Sequence, residues 1–188
     1  GIQDQIAASF GGFNRINFSR DGYTVNPVII SPERKKLLND HLMLYFTGFS
    51  RFSSDIQKNT EKSMKDKTQQ LIEMYELVDK AEKVLTDKNA DIDEFGRLLD
   101  YTWHLKRGIS SGISTGSIDD QYDRAMKAGA LGGKLLGAGG GGFLLFYVPT
   151  EKQAAVHEAM KDLLYVPFKF ENDGTKVIFY NPEDYIQK

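Results

Sequence analysis

The sequence predicts an α+β fold, with helices gathered on one side of a mostly antiparallel sheet. Three observations predict it. Short runs rich in aromatic and β-branched residues stand toward both ends of the chain, and helical periodicity fills the middle. The order is strand, two or three helices, strand, helix, strand, strand, which lacks the regular alternation of parallel-sheet proteins.

Residues 13–18 and 23–30 carry the strand-forming runs, and Arg20-Asp21-Gly22 between them supplies the positive-φ position of a tight β-hairpin. Ser31-Pro32-Glu33 is a helix start: Ser31 can cap, and Pro32 is pre-set for the first turn of a short helix ending near Leu38. Residues 42–47 read as a buried strand ending at Gly48. From Ser53 to about Leu85, apolar residues at Met64, Leu71, Tyr75, Val78 and Leu85 describe one stripe of a long helix. A second helix starts at Asp91, where Asp91 and Glu94 form a capping-box pattern, and places Phe95, Leu98, Thr102 and Leu105 on one face. A third runs from Ser117 to about Ala130. Residues 143–148 form a wholly apolar strand, and Thr150-Glu151-Lys152-Gln153 opens a fourth main helix. Residues 166–170 and 176–180 are expected to form a hairpin around Asn172-Asp173-Gly174, joining residues 42–47 and 143–148 in the sheet.

A chain of 188 residues, 40% hydrophobic, can bury the core of one ordinary domain, or of a small domain plus a fragment. A net charge of -2 gives neither nucleic acid nor an anionic membrane surface an overall attraction. The absence of cysteine excludes a disulfide framework and thiolate metal sites, and it fits a reducing interior. No apolar run approaches the roughly 20 residues of a membrane helix, so a cytoplasmic protein is the default. Gly1-Ile2-Gln3-Asp4-Gln5-Ile6 reads as the middle of a structured segment, and the chain is expected to have begun earlier.

The most specific feature is Lys134-Leu135-Leu136-Gly137-Ala138-Gly139-Gly140-Gly141-Gly142-Phe143. Its glycine spacing matches the dinucleotide fingerprint by letter, but that fingerprint requires a helix after it and here a strand follows. A Walker-type loop fails as well, because Phe143 stands where Lys-Ser or Lys-Thr is needed. What survives is a run of backbone amides able to approach an anion or another loop closely. A flexible linker is the bland alternative, but linkers of that kind carry serine and polar neighbours, whereas this loop enters a buried strand.

That segment resembles the third motif of the GHMP kinases, named for galactokinase, homoserine kinase, mevalonate kinase and phosphomevalonate kinase. Gly1-Ile2-Gln3-Asp4-Gln5 resembles the segment that carries the aspartate of their catalytic site. Leu44-Tyr45-Phe46-Thr47-Gly48-Phe49-Ser50-Arg51, Leu105-Lys106-Arg107-Gly108-Ile109-Ser110 and Ile113-Ser114-Thr115 are most similar to sugar kinases acting on D-glycero-D-manno-heptose 7-phosphate, with fucokinase-type domains more distant. The resemblance implies a ferredoxin-like C-terminal GHMP domain over residues 31–188 and a remnant helix and hairpin of the N-terminal, ATP-binding domain over residues 1–30. The family's first two motifs, including its serine- and glycine-rich phosphate loop, have no counterpart here and are expected before Gly1.

The implied chemistry is phosphoryl transfer from ATP to a sugar hydroxyl, which needs an in-line nucleophile, neutralisation of charge and often a carboxylate that accepts the proton. By resemblance Asp4 is that carboxylate, and packing among Ile2, Ile6, Ala7 and Ala8 would leave it half-desolvated. Gly137, Gly139, Gly140, Gly141 and Gly142 would offer amides toward the transferring phosphate. Thr47 and Arg51, just past a strand end, could contact sugar or sugar phosphate, as could Arg107 and Lys106, for which surface salt-bridging is an equal reading. Trp103 and His104 read as packing and surface residues. Mg2+ would arrive with ATP, held mainly by the absent half. No resident metal site is read in the chain itself. A piece without its neighbouring domain is expected to be inactive alone and prone to homodimers or aggregates.

Two rival readings stand beside this one. A non-catalytic module could recognise a small anion through the glycine loop, but it would have no need of the Asp4 segment. A helical interaction protein built around residues 53–85 leaves the glycine loop unexplained.

Overall fold

The computed structural model describes residues 2–48, 67–109, 116–136 and 141–180. The chain divides into two compact units, Gly1–Ile29 with Lys169–Lys188, and Ile30–Phe168.

In the first unit, α1 (Gln3–Phe10) is held by one buried residue, Ile6, and stops at Gly11, whose positive φ of 65° breaks the helical path while its N–H still bonds the Ala7 carbonyl at 2.9 Å. Strands β1 (Asn14–Ser19) and β2 (Gly22–Pro27) pair antiparallel from Asn14↔Pro27 to Ser19↔Gly22, as the Arg20-Asp21-Gly22 signal predicts. Most of β2 is exposed, whereas four of the six β1 residues are partly buried.

The final expected hairpin is absent, and its residues do something different. No strand forms over residues 166–180. Instead Gly12 N–H donates to Glu171 O at 3.1 Å, Thr175 N–H donates to Ser9 O at 3.0 Å, and Phe13 meets Phe170 edge-on at 4.7 Å. Gly174 is needed for close approach and not for a turn: a Cβ there would lie 2.0 Å from Ser9 O. The Glu171 carboxylate accepts the N–H groups of Asn172 and Asp173, which offers this backbone a local alternative to a strand ladder.

In the second unit, Ser31 caps α2 (Pro32–Asp40) by accepting the Arg34 N–H at 3.2 Å. Strand β3 (Leu42–Phe46) leads to the described helices α3 (Thr68–Thr86), α4 (Asp93–Ile109) and α5 (Gly116–Lys127), then to β4 (Gly132–Leu136) and β5 (Phe143–Tyr147). A 3-10 turn at Thr150–Lys152, α6 (Gln153–Ala159) and the short β6 (Leu164–Tyr165) complete the unit. The sheet order is β4-β5-β3-β6, all neighbours antiparallel.

One face of this sheet, with Met43, Tyr45, Leu135, Leu144 and Phe146, forms the core with Trp103 and Ile109 of α4, Ile118, Tyr122 and Ala125 of α5, and Val156 of α6. Trp103 is 1% exposed and His104 is on the surface, the roles their helical positions suggest. The α5 positions Ile118, Gln121, Tyr122 and Ala125 are buried at a spacing of three and four, the signature of a helix with one face inward. The stripe of α3 follows the expected one in part: Leu85 is buried and Leu71 leans on the core, but Tyr75 and Val78 are exposed, and Leu77, Val84 and Met74 take the inward places instead. Residues 53–66 of the expected helix lie outside the described residues.

Strand β4 was not legible. Gly132-Gly133 is poor strand sequence, yet it is required because α4 crosses so closely that a Cβ on Gly132 would sit 2.0 Å from Gly96 O.

Candidate functional site

The glycine-rich loop connects β4 to β5, and their last pair, Leu136↔Phe143, sets its mouth. Gly137, Gly139 and Gly140 lie outside the described residues, as does Arg51. Gly141 is buried, and Gly142 has φ +120°, a conformation that side chains with a Cβ rarely adopt. A Cβ at Gly142 would also meet Leu136 O at 2.5 Å, so the loop closes on a residue that has to be glycine.

The structure brings Thr47 onto that residue. Strand β3 ends at Phe46, and Thr47 N–H continues the ladder by donating to Gly142 O at 2.9 Å. Its hydroxyl then accepts the Gly142 N–H at 3.0 Å and donates to Gly142 O at 3.1 Å. Thr47 is only 2% exposed, and Gly48 after it turns away with φ +80°. No signal in the sequence pairs positions 47 and 142, which are 95 residues apart.

Arg107 sits in the last turn of α4 and bonds Asp119 in the first turn of α5 at 2.9 Å. Each charge lies at the helix end whose dipole favours it. The pair is about one-third exposed, and residues 110–115 between the two helices lie outside the described residues. Beneath it the Tyr122 hydroxyl donates to Asp100 at 2.7 Å, and burial with that carboxylate pushes its pKa well above the ordinary phenol value.

Asp4 belongs to the first unit. It lies in the first turn of α1, where a negative charge complements the helix N-terminus. It is exposed, and of the apolar neighbours expected to desolvate it only Ile6 is buried, so in this chain the carboxylate stands in water. An eight-residue helix with one buried position has too little apolar cover to shield its first turn.

An open groove of about 430 Å³ runs between α3 and α4, lined by Glu73, Glu76, Lys80, Glu94, Arg97 and Tyr101. Three carboxylates there oppose phosphate, and Arg97 is engaged by Asp91 at 3.3 Å and Glu94 at 2.9 Å. Among the described residues no cluster of three His, Asp or Glu side chains is placed to hold a metal ion, and no helix is long and apolar enough to cross a membrane.

A four-stranded antiparallel sheet packed against helices, with a glycine-rich β4–β5 connection, is an α+β architecture shared with the C-terminal domain of a family of small-molecule kinases. The chain belongs to the GHMP kinase family: the family model described as GHMP kinases C terminal matches residues 70–166. It is 34% identical, over 94% of its length, to a D-glycero-alpha-D-manno-heptose 7-phosphate kinase of Campylobacter jejuni subsp. jejuni serotype O:2, of which it covers 53%. It is 28% identical over 98% of its length to a mevalonate kinase of Thermococcus sibiricus, covering 52% of that protein. The chain thus spans about half the length of these relatives. Among solved structures it resembles a D-glycero-D-manno-heptose 1-phosphate kinase from Bacteroides thetaiotaomicron, with a TM-score of 0.56, 27% identity, and coverage of 95% of this chain and 50% of that one. It also shares the fold of L. major mevalonate kinase, with a TM-score of 0.68 at 18% identity and coverage of 93% and 53%.

Proposed function

We propose that this chain is the C-terminal part of an ATP-dependent sugar kinase that transfers the γ-phosphate to a hydroxyl, the anomeric one, of a sugar phosphate such as D-glycero-D-manno-heptose 7-phosphate. The observation that carries this reading is the 34% identity to the Campylobacter heptose phosphate kinase over 94% of the chain. Asp4 accepts the proton of the attacking hydroxyl, and Arg51 and Arg107 hold the sugar phosphate. ATP supplies the phosphoryl group and brings Mg2+ to neutralise its charge, both held mainly by the amino-terminal half. Residues 1–30 are the remnant of that ATP-binding domain, residues 31–188 are the C-terminal GHMP domain, and the whole enzyme works in the cytoplasm. The piece alone is inactive.

Phosphorylation assays on the parent chain, with its amino-terminal half restored, test this reading. The panel is heptose 7-phosphate, L-fucose, galactose and mevalonate, with wild type beside Asp4→Asn. Turnover of heptose 7-phosphate that Asp4→Asn abolishes without weakening substrate binding supports both the substrate and the base. Turnover of mevalonate or fucose alone moves the enzyme to another branch of the family. If ATP itself does not bind, the non-catalytic module becomes the better account.

A further inference from the structure

Gly142 is a residue in a left-handed conformation whose two backbone polar groups both end on one side chain. The Thr47 hydroxyl accepts the Gly142 N–H at 3.0 Å and donates to the Gly142 carbonyl at 3.1 Å, while the Thr47 N–H donates to the same carbonyl at 2.9 Å. A hydroxyl carries one donor and two acceptor sites, so its donor and one lone pair are in use. At 2% exposure Thr47 presents almost no surface to a ligand.

An ordinary antiparallel pair at this position would exchange backbone bonds alone. The φ of +120° at Gly142 turns the chain out of that pattern, and the threonine side chain takes over the half of the ladder that the turn breaks. Two short segments distant in sequence, the end of β3 and the end of the glycine loop, are thereby locked together.

We propose that Thr47 is a positioning residue, acting through the backbone of Gly142, and that neither Thr47 nor the Gly142 amide is a ligand for sugar or phosphate. Thr47 fixes where Gly141 and Gly142 stand against β3. The catalytic consequence rests on the kinase reading above, because a loop beside a transferring phosphate has to be placed closely: a 1 Å misplacement can cost about 100-fold in rate. The clamp itself does not depend on that reading.

The experiment compares Thr47→Val, which keeps the shape and removes the hydroxyl, with Thr47→Ser, which keeps the hydroxyl, in the full-length parent chain. Amide hydrogen exchange at Gly142 reads the clamp without any activity, and steady-state kinetics with ATP and heptose 7-phosphate read the consequence. In Thr47→Val, Gly142 exchange is expected to quicken by about tenfold or more, since a lost hydrogen bond to a buried group is worth ~1.4 kcal/mol or above. The same variant is expected to lower kcat about tenfold with KM for the sugar within about twofold, the pattern of an interaction felt in the transition state alone. Thr47→Ser is expected to restore both.

Unchanged exchange in Thr47→Val overturns the clamp. A raised sugar KM with kcat unchanged makes Thr47 a ligand contact and overturns the proposal in the other direction. Faster exchange with unchanged kinetics overturns the positioning role. If wild type turns over no sugar, the proposed function has failed, and the exchange measurement alone decides the clamp. Should Thr47→Val not fold, Thr47→Cys, with a much weaker donor of similar size, is read against Thr47→Ser in the same way.

Discussion

The Arg34 guanidinium reaches from the first turn of α2 to the last turn of α3, where it donates to the Val84 carbonyl through Nη2 at 2.5 Å and Nε at 3.2 Å. Arg34 is 8% exposed, so this bond is buried. Carbonyls in the last turn of a helix lack intrahelical donors, and a cation there also meets the negative end of the helix dipole. Arg34→Leu removes the charge together with its bond and leaves the carbonyl unpaired. The expected loss is about 2 kcal/mol, which lowers Tm by roughly 4–8 °C for a chain of this size, and thermal unfolding followed by circular dichroism checks it.

Gly132→Ala is expected to be more damaging than any glycine substitution in an open turn. The added methyl would lie 2.0 Å from Gly96 O and 2.7 Å from Asp100 N, both on the backbone of α4. Helix and strand have to separate, which costs about 1–3 kcal/mol or more through lost packing. By contrast Gly116→Ala, with open space around its Cβ, should leave Tm nearly unchanged. Denaturant melts of the two variants side by side test the difference.

Alkaline pH should unfold the second unit earlier than surface tyrosines alone would. Burial pushes the Tyr45 phenol up to about 12, with Tyr165 nearby adding to the shift, and burial together with Asp93 raises Tyr147 as well. A folded-state pKa above the unfolded value means that the native chain holds the proton more tightly, so the stability is fully present below about pH 10 and is lost as pH rises toward 12. Tyr45→Phe should flatten the pH dependence of stability across that window, a change measurable by urea unfolding at stepped pH. An unchanged slope would mean that Tyr45 ionises as freely in the folded chain as in the unfolded one.

The first unit should drive self-association. Val177, Ile178, Phe179 and Tyr180 are between 73% and 92% exposed in sequence, and Phe10, Phe18 and Ile29 of the same unit are also exposed. Four consecutive exposed apolar residues make a patch that favours association. Sedimentation velocity on this chain should show dimers or larger species that grow with concentration, and Ile178→Lys with Phe179→Lys should reduce them. A clean monomer at high concentration counts against the expectation.

ATP affinity of this chain alone should be negligible. The Gly142 N–H is already taken by Thr47, and the groove between α3 and α4 is rich in carboxylate. Titration calorimetry showing tight nucleotide binding would place the phosphate site within the chain after all.

Much of the fold follows from local chemistry and was legible. Ser31 caps α2, Gly22 closes the first hairpin, and the apolar run from Phe143 becomes a strand buried at the centre of the sheet. The glycine loop and the Asp4 segment carry the family resemblance, and the family itself is the part of the functional reading that a match over residues 70–166 establishes. Two of the departures, at β4 and at the expected final hairpin, share one cause. At Gly132 and Gly174 glycine marks a place where two backbones nearly touch, and a single sequence does not separate that use from a turn. The Asn172-Asp173-Gly174 signal has the composition of a hairpin turn, but the Asn172 and Asp173 N–H groups go to the Glu171 carboxylate, and the flanking Glu171 carbonyl and Thr175 N–H pair with Gly12 and Ser9.

What the sequence by itself determined is the list of elements that depend on neighbours within a few residues: caps, tight turns and amphipathic periods, each set by short-range sterics and hydrogen bonding. Only the tertiary structure decided that Thr47 closes on Gly142, that Arg34 caps the end of α3 and that Tyr122 bonds Asp100, because each joins groups from different elements of the fold. The physical reason is that burial presses nearly every polar group to find a partner, and which partner lies within 3 Å or so is settled by how the layers pack.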